Sequence, residues 1–489
     1  MKARLSLAVP IESRIADYTK DSRIVNGMVE TSPEGERWVI KRPGYTNTNW
    51  LLSTSPSNVP SIYNFNGIIA VVGLTVKWVQ TNTGVVTNLG TLDNPQVGFD
   101  YNSLTTGLLL TATSGWVLTY TIATNTMTMV KLTNGANGFP ILPANDQFVG
   151  GPITLDQTTY IMDIFGNIYG SNVGNLSTWN ALNTIIANQE ADFATALGKQ
   201  SNYLVAFKKT SIEFLYDAGT SPGSPLAVNM GALLQIGCVN ADTVCRVDST
   251  TIWVGSSKSG GSSVYMFNGI TPETISTRYI EKYLDLGSTL TAFSMKIAGH
   301  ILYILNIRAS SATNGLVSLV YDITERAWYH WTSEWNGNSF FLMADSTIGA
   351  YFAEAFGDTT ENVYFIDYSG VVYRASQYAY TDDGNAISFR VVTPIHDSGI
   401  TNRKFYTSVE VVGDKATSNT NLSIRHYDDD YTTPSTFRTV NLSDSRPILY
   451  QLGSARRRAW EVLHTDNVPL RIQALEFNFN LGEQAQSSD

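Results

Sequence analysis

One phrase recurs along this chain: an alternating apolar stretch, a Gly, Asn or Asp turn, then a second stretch carrying an aromatic. It reads SIYNFNGIIAVVGLTVKWV from Ser61, GLLLTATSGWVLTYTI from Gly107, TYIMDIFGNIYGSN from Thr159 and NYLVAFKKTSIEFLYD from Asn202. It returns as STTIWVGSSKSGGSSVYMFNG from Ser249, GHILYILNIRASSATNGLVSLVYDITERAWYHW from Gly299 and ENVYFIDYSGVVYRAS from Glu361. The copies start about 45 to 60 residues apart, the length of one propeller blade or its near equivalents. Each is two strands joined by a hairpin turn such as FGN, TSG or SSKSGGSS. A lone hairpin cannot bury its apolar face, whereas roughly six or seven stacked radially share one continuous core and expose few edges. The expected fold is therefore all-β, a β-propeller of about six or seven blades; two consecutive β-sandwiches would give the same strand signals. Helical periodicity is weak throughout, and its best candidate, QEADFATAL from Gln189, is equally readable as an inter-blade loop.

The rhythm breaks at YTDDGNAISF, residues Tyr380 to Phe389. Beyond it come longer alternating stretches, AISFRVVTPI, FYTSVEVVGD, NLSIRHYDDD, AWEVLHT and LRIQALEFNFNL, which suit a compact β-sandwich. The expected organisation is an N-terminal arm over residues 1–49, packing on the C-terminal domain or a neighbouring subunit, then a propeller over 50–380. A C-terminal β-sandwich over 381–481 and a flexible tail over 482–489 complete it.

Charge narrows the function. Only 15% of residues are charged, against roughly 25% in an average globular chain, and Thr, Ser, Asn, Gly and Tyr take their place. The formal net charge is −10, from 42 acidic and 32 basic residues. Binding DNA through its backbone requires clustered Lys and Arg that release condensed counterions, so an acidic chain is poorly suited to gripping nucleic acid. The two cysteines, Cys238 and Cys245, form no framework or CxxC pattern and are expected as buried thiols in a reducing setting. The N-terminal MKARLSLAVPIESR is interrupted by Pro10 and Glu12, so neither secretion nor membrane insertion is expected.

Catalytic patterns are sparse. A glycosidase needs two carboxyl groups flanking a cleft; Asp163, Glu213, Asp322 and Asp367 all lie close to hairpin turns, where Asx-type turn roles are expected instead. SNVGNLSTW from Ser171 lacks the aspartate of a sialidase box. Asp428, Asp429 and Asp430 lack the alternating ligands, glycine and distal glutamate of a calcium loop, and read as a solvated hairpin tip. The histidines, His300, His330 and His396 among them, show no HxxxH pairing for zinc. No nucleophile elbow, Walker loop or dinucleotide fingerprint occurs. Trp328, Trp331 and Trp335 in ERAWYHWTSEW read as blade core alternating with surface rather than as a sugar platform. Neither an enzyme activity nor a cofactor or metal is expected.

One basic run stands out, Arg456, Arg457 and Arg458 in SARRRAWEVLHTDNVPLRIQALEFNF. Strand alternation places Arg456, Arg458, Trp460, Val462 and His464 on one face, with Arg457, Ala459, Glu461 and Leu463 on the other. Trp460 and Val462 belong to the core side, so Arg456 and Arg458 are expected where that face emerges into solvent or meets a neighbour. The three arginines are the candidate subunit or adaptor interface.

Several segments, taken in order, carry a resemblance. SRIVNGMVETSPEGERWVIKRPGYT opens the chain, NYLVAFKKTSIEFLYDAGTSPGSPLAVNMGALLQIGC and RYIEKYLD follow, then LVYDITERAWYHW, and RRRAWEVLHTDNVPLRIQALEF closes it. Together they resemble the tail nozzle proteins of short-tailed bacteriophages, also called tail accessory or packaged-DNA stabilisation proteins. The resemblance implies a structural virion protein of the tail, assembled in the host cytoplasm as a homohexameric ring beneath the portal and its adaptor. It implies tailspikes or fibres mounted around the ring, a needle or plug closing it, and double-stranded DNA passing through without specific binding. Six copies would carry a formal charge of about −60, which disfavours DNA retention by counterion release. A receptor-binding or glycan-degrading propeller is the alternative reading.

Overall fold

The computed structural model describes residues 1–11, 22–52, 61–220, 223–309, 316–335, 338–340, 350–352, 362–366, 370–428 and 433–482. Each of the first five repeated phrases becomes the middle of a four-stranded antiparallel sheet. The first blade runs Ser61–Asn64, Ile68–Val72, Thr75–Val79 and Val86–Thr91, and four more sheets of the same order span 96–131, 148–186, 194–228 and 245–274. The sixth comprises Gly287–Ile297, His300–Ala309, Leu316–Asp322 and Ala327–Trp331. First strands of the second, third and fourth blades lie against one another, as do those of the fifth and sixth. The second and third blades approach closely, and a Cβ on Gly98 would lie 2.3 Å from the Gly151 Cα. QEADFATAL is not helical: it is an inter-blade loop running into the strand Ala194–Gln200.

The second strands explain why the sheets stack. In the first blade all five residues of Ile68–Val72 are buried, Ile69 and Val71 facing the second blade and Ile68, Ala70 and Val72 the opposite way. A strand buried on both faces loses the polar alternation of a solvated sheet and reads as a continuous apolar run. Phe207 and Trp253, ring centroids 5.4 Å apart, fill the same kind of seam between the fourth and fifth blades. The helix Arg278–Leu286 joins the fifth and sixth blades. Tyr279, Ile280 and Leu284 bury one of its faces, and Ser276 donates to Glu281 Oε1 at its start.

The ring closes with a composite sheet. Ala350–Phe352, Asn362–Ile366 and Val371–Ser376 take the earlier strand Gly44–Leu51 as their outer partner, and Tyr364, Ile366 and Val372 pack against the first blade. Six blades are thus made of consecutive strands, and the gap between the last and the first is filled by strands from both parts of the chain.

The C-terminal strands form a sandwich. One sheet places Gly27–Thr31, Arg37–Lys41, Arg471–Leu481, Lys404–Gly413 and Ile448–Tyr450 side by side, with Lys2–Ser6 also pairing on Arg471–Leu481 and Ser454–Ala455 on Lys404–Gly413. The facing sheet contains Phe389–Val392, Arg458–His464, Asn421–Asp428 and Arg438–Asn441. It does not end there. Arg23–Val25 pairs antiparallel with Phe389–Val392 and parallel with the sixth blade's outer strand, Val25 opposite His330, so blade and sandwich share a nine-stranded sheet. One apolar core follows, running from Ile304 and Val320 in the blade to Trp460, Val462, Leu475 and Phe477 in the sandwich. Beside the junction, Arg42 and Asp382 form a buried ion pair, Arg42 also donating to Asn26 Oδ1 and to the Thr332 carbonyl.

Candidate functional site

The basic run lies where the chain changes sheets. Ser454–Ala455 pairs with Lys404 and Phe405 in one sandwich sheet, and Arg458–His464 pairs with Phe389–Val392 in the other. Arg456 and Arg457 form the bend between them, and both are exposed. Lys404 braces the bend from within. Its ammonium donates to the Arg456 carbonyl at 2.8 Å and to Ile400 O at 2.5 Å, and burial lowers its pKa. Exposed Arg403 donates to Ser454 Oγ at 3.0 Å, and Phe405 is half exposed beside it. Asp397 sits near the corner with its pKa lowered, chiefly by the Gly399 amide and then by Lys404, His396 and Arg457.

Arg458 departs from the expectation of an arginine emerging into solvent. It shares the core face with Trp460 and Val462, and instead of emerging from it the side chain enters the sandwich fully buried. Its Nε and Nη2 donate to the two Asp428 oxygens at 2.6 and 3.0 Å, and Nη1 donates to the Leu452 carbonyl at 2.7 Å. The guanidinium carbon lies 4.2 Å from the Tyr406 ring centroid and 5.4 Å from that of Trp460. A planar fork with three donors satisfied and two aromatic rings beside it inside its own domain is a packing element. Arg456 and Arg457 are the two members of the run that reach the surface.

The carboxylates divide. Asp163, fully buried, accepts from the amides of Phe165 and Asn167, the Asn167 amide group and the Tyr169 hydroxyl, closing its own turn. Asp322 accepts from the Thr324 and Glu325 amides and from His300 Nδ1 at 2.6 Å. Glu213 has no turn role: with Asp192 it holds the buried ammonium of Lys208, each at 3.1 Å. Asp367, Asp429 and Asp430 lie outside the described residues. Asp146 is buried near Asp163, and burial followed by the Asp163 charge raises its pKa. With Asp163 enclosed by its turn, the pair presents no open cleft of the kind glycoside hydrolysis requires.

Trp328 packs into the seam with the fifth blade and Trp331 into the core shared with the sandwich, so both are buried and neither offers a sugar platform. Among the described residues no group of His, Cys, Asp and Glu has the arrangement of a metal site. Cys238 is buried as expected, whereas Cys245 is only partly buried; desolvation raises both thiols to about 12, leaving them protonated. No helix among the described residues is long and apolar enough to cross a membrane.

Two adjoining cavities of about 570 and 510 Å³ share Tyr101 and Arg246. Lys199, Arg246 and Lys296 line them together with Asp100, Asp156 and Asp248, so cations and carboxylates balance. A cleft of about 420 Å³ between sandwich and propeller is bounded by Lys41, Tyr378, Tyr380 and Arg471. Burial is the main cause of the fall in the Lys41 pKa to about 8.

Residues 55–369 match the family model described as bacteriophage P22 Gp10, β-propeller. No curated protein matches the chain. Several solved structures align over most of it at low similarity. One, titled as a mitotic checkpoint complex, is 11% identical over 75% of this chain and 96% of that chain, with a TM-score of 0.38. Another, from a complex of S. cerevisiae Dbp5 with Nup159 and Gle1, is 9% identical over 73% and 100%, with a TM-score of 0.39. BamB from Moraxella catarrhalis is 10% identical over 68% and 99%, with a TM-score of 0.37. At these scores the alignments carry no functional argument.

Proposed function

The chain belongs to the bacteriophage P22 Gp10 β-propeller family, and from that premise we propose that it forms the tail nozzle ring of a short-tailed phage. The observation that carries the proposal is the family match across the propeller, residues 55–369. In this reading six copies surround a conduit that retains the genome and then passes it. The ring meets the portal adaptor above, carries tailspikes or fibres, and is closed by a needle or plug.

Two features of the chain support a structural role. The sheet shared by the sixth blade and the sandwich makes the two parts one continuous piece, suited to bearing load between a head and a cell surface. The net charge of −10 gives the ring a sign that does not hold DNA by counterion release. The Arg456–Arg457 corner is the proposed contact with a neighbouring subunit or the adaptor.

Electron microscopy and mass photometry of the purified chain, alone and mixed with a candidate portal adaptor, test the proposal. Six-fold rings are the expected result. Strictly monomeric protein under both conditions would sink it, and release of oligosaccharides from capsular or lipopolysaccharide glycans would show that a conduit is not the whole account.

A further inference from the structure

Three blades share a clasp, and in one of them the clasp faces a like charge. In the second, third and fourth blades the first residue of the first strand lies opposite the last residue of the second strand. These pairs are Gln96 with Thr111, Phe148 with Asp163 and Ala194 with Lys208. An aspartate stands two or three residues ahead of each first strand: Asp93, Asp146 and Asp192. Asp192 holds Lys208 at 3.1 Å and accepts from the Thr210 amide and the Ser211 hydroxyl at 2.8 and 2.9 Å. Asp93 accepts from the Thr111 and Ser114 hydroxyls at 3.3 and 2.6 Å and from the Lys131 ammonium at 2.7 Å. Each ties the entry of its blade to the turn between the second and third strands.

The third blade repeats the backbone and changes the partner. Its Ile164 amide donates to the Gln147 carbonyl, as the Lys209 amide donates to the Phe193 carbonyl in the fourth, both at 2.9 Å. Where Lys208 stands in the fourth blade, the third has Asp163, so Asp146 faces a second carboxyl group. Both are buried, Asp146 being 7% and Asp163 0% exposed. Asp163 is well supplied as an anion, with two backbone amides on Oδ1 and the Asn167 amide group and Tyr169 hydroxyl on Oδ2. Asp146 accepts from the Gln147 amide on Oδ1 at 2.7 Å, and among the described residues no donor reaches its buried Oδ2. The cations of the adjoining blades are engaged in their own clasps, Lys131 with Asp93 and Lys208 with Asp192 and Glu213, while Lys209 is exposed. Against the cost of burial, those donors hold Asp93 and Asp192 below the ordinary carboxylate range, whereas burial and then the Asp163 charge raise Asp146.

Two buried carboxyl groups side by side repel when both ionise, and one is driven to keep its proton. The proton belongs on Asp146. Amide and hydroxyl donors already stabilise charge on Asp163, and protonating Asp146 Oδ2 turns an atom without a donor into a donor facing its neighbour. We propose that Asp146 and Asp163 share one proton, carried by Asp146 and donated to Asp163, making this blade's clasp a latch that closes in acid and loosens when the proton leaves to solvent. Asp146 is raised in the folded chain, so its contribution is full below the unfolded value of about 3.9 and lost as pH rises through the folded one. The lowered Asp93 and Asp192 run the other way, contributing above that value and fading in acid. The latch belongs to a single chain and stands whether or not copies form a ring.

Hydrogen exchange on the full-length chain tests it, with Asp146→Asn as the deciding variant. Asparagine has the same shape, cannot ionise and presents an amide donor to Asp163 at every pH. In wild type the protection factor of the Ile164 amide, which closes onto the Gln147 carbonyl, should fall about tenfold between about pH 4 and pH 8, the equivalent of one unit of pKa separation. In Asp146→Asn it should stay constant and exceed wild type at pH 8. Asp192→Asn should do the opposite in its own blade, lowering protection of the Lys209 amide at pH 8. Wild-type protection at Ile164 that does not change with pH overturns the latch, as does an Asp146→Asn chain that loses protection at pH 8. Recovery of wild-type protection at pH 8 on adding magnesium or calcium, absent in Asp146→Asn, also overturns it, by showing a cation where the proton is placed. The wild-type pH series decides the question even where a variant fails to fold.

Discussion

Replacing Arg458 by methionine preserves the length and apolar stem of the side chain and removes its guanidinium. The Leu452 carbonyl then loses its buried donor, a loss of about 1–3 kcal/mol. Asp428 loses a bidentate partner, and removing one side of a buried pair costs about 3–5 kcal/mol. The Asp428 side chain is 37% exposed, however, so water takes up part of that load and the cost falls to the lower end. The methionine sulfur keeps some contact with Tyr406 and Trp460, recovering a fraction of what the cation–π stack gave. Because the two losses overlap on one side chain, the expected destabilisation is about 3 kcal/mol, roughly a hundredfold in the opening equilibrium of the sandwich. Hydrogen exchange of the amides in Arg458–His464 and Asn421–Asp428 measures that opening locally, which suits a large chain whose parts need not unfold together. Arg458→Lys should lose most of the same amount, since a single ammonium cannot reproduce three planar donors. Arg456→Ala and Arg457→Ala should stay within about 0.5 kcal/mol. Protection in Arg458→Met within about 1 kcal/mol of wild type, or an equal loss in Arg456→Ala, would refute the assignment of Arg458 as the buried member of the run.

The histidines give a signed pH dependence. Burial, with Arg23 for His330 and with Arg458 for His426, lowers their pKa values to about 3 and about 4, and burial followed by Lys41 lowers His464 to about 4. A depressed folded pKa contributes stability above the unfolded value of about 6.5 that is lost as pH falls toward 4, so urea midpoints should drop over that window and His464→Gln should flatten the drop. His300 runs the other way: burial lowers its pKa, but the Asp322 hydrogen bond and charge outweigh it and the net shift is upward. Its contribution is full below about pH 6.5 and fades as pH rises; Asp322→Asn should abolish that fading, read by exchange at the Ile323–Arg326 turn. Gly98→Ala would press a Cβ into the Gly151 backbone between the second and third blades, and a loss of about 1–3 kcal/mol in thermal stability is expected. The Cys238 thiol should remain unlabelled by iodoacetamide at pH 8 in folded protein, and rapid labelling would contradict its burial.

What was legible in the sequence was local. Period-two alternation and turn residues located the hairpins of Thr158–Asp163 with Asn167–Asn172 and of Tyr203–Lys208 with Ile212–Asp217, because each pairs with its chain neighbour. Asp163 was readable as a turn residue for the same reason. The partner of Gly44–Leu51 was not, since nothing in eight residues records that Val371–Ser376 will lie beside them. Nor was the splice of Val25 to His330, a parallel contact between distant segments. At the arginine run, alternation was carried through a bend that ends one strand at Ala455 and starts another at Arg458. Alternation had put Arg458 on the core face with Trp460 and Val462, where it lies; the expectation that this face emerges into solvent there was wrong, because Asp428 and the Leu452 carbonyl satisfy the guanidinium inside the sandwich. Glu213 was misread for a related reason: its partner Lys208 lies across a hairpin, and proximity to a turn says nothing about an ion pair.

The composite closing sheet has a consequence for how the molecule is made. Gly44–Leu51 leaves the ribosome long before Val371–Ser376 exists, and Lys2–Ser6 waits still longer for Arg471–Leu481. Throughout translation the open ends of the growing ring therefore display unpaired strands, and the nascent chain carries early segments that nothing yet holds. Such long-range pairings slow folding and expose edges that aggregate. A chain stalled before the closing strands should be a target for chaperones, and one released after them should not, so that completion of the last strand acts as the molecule's own quality control.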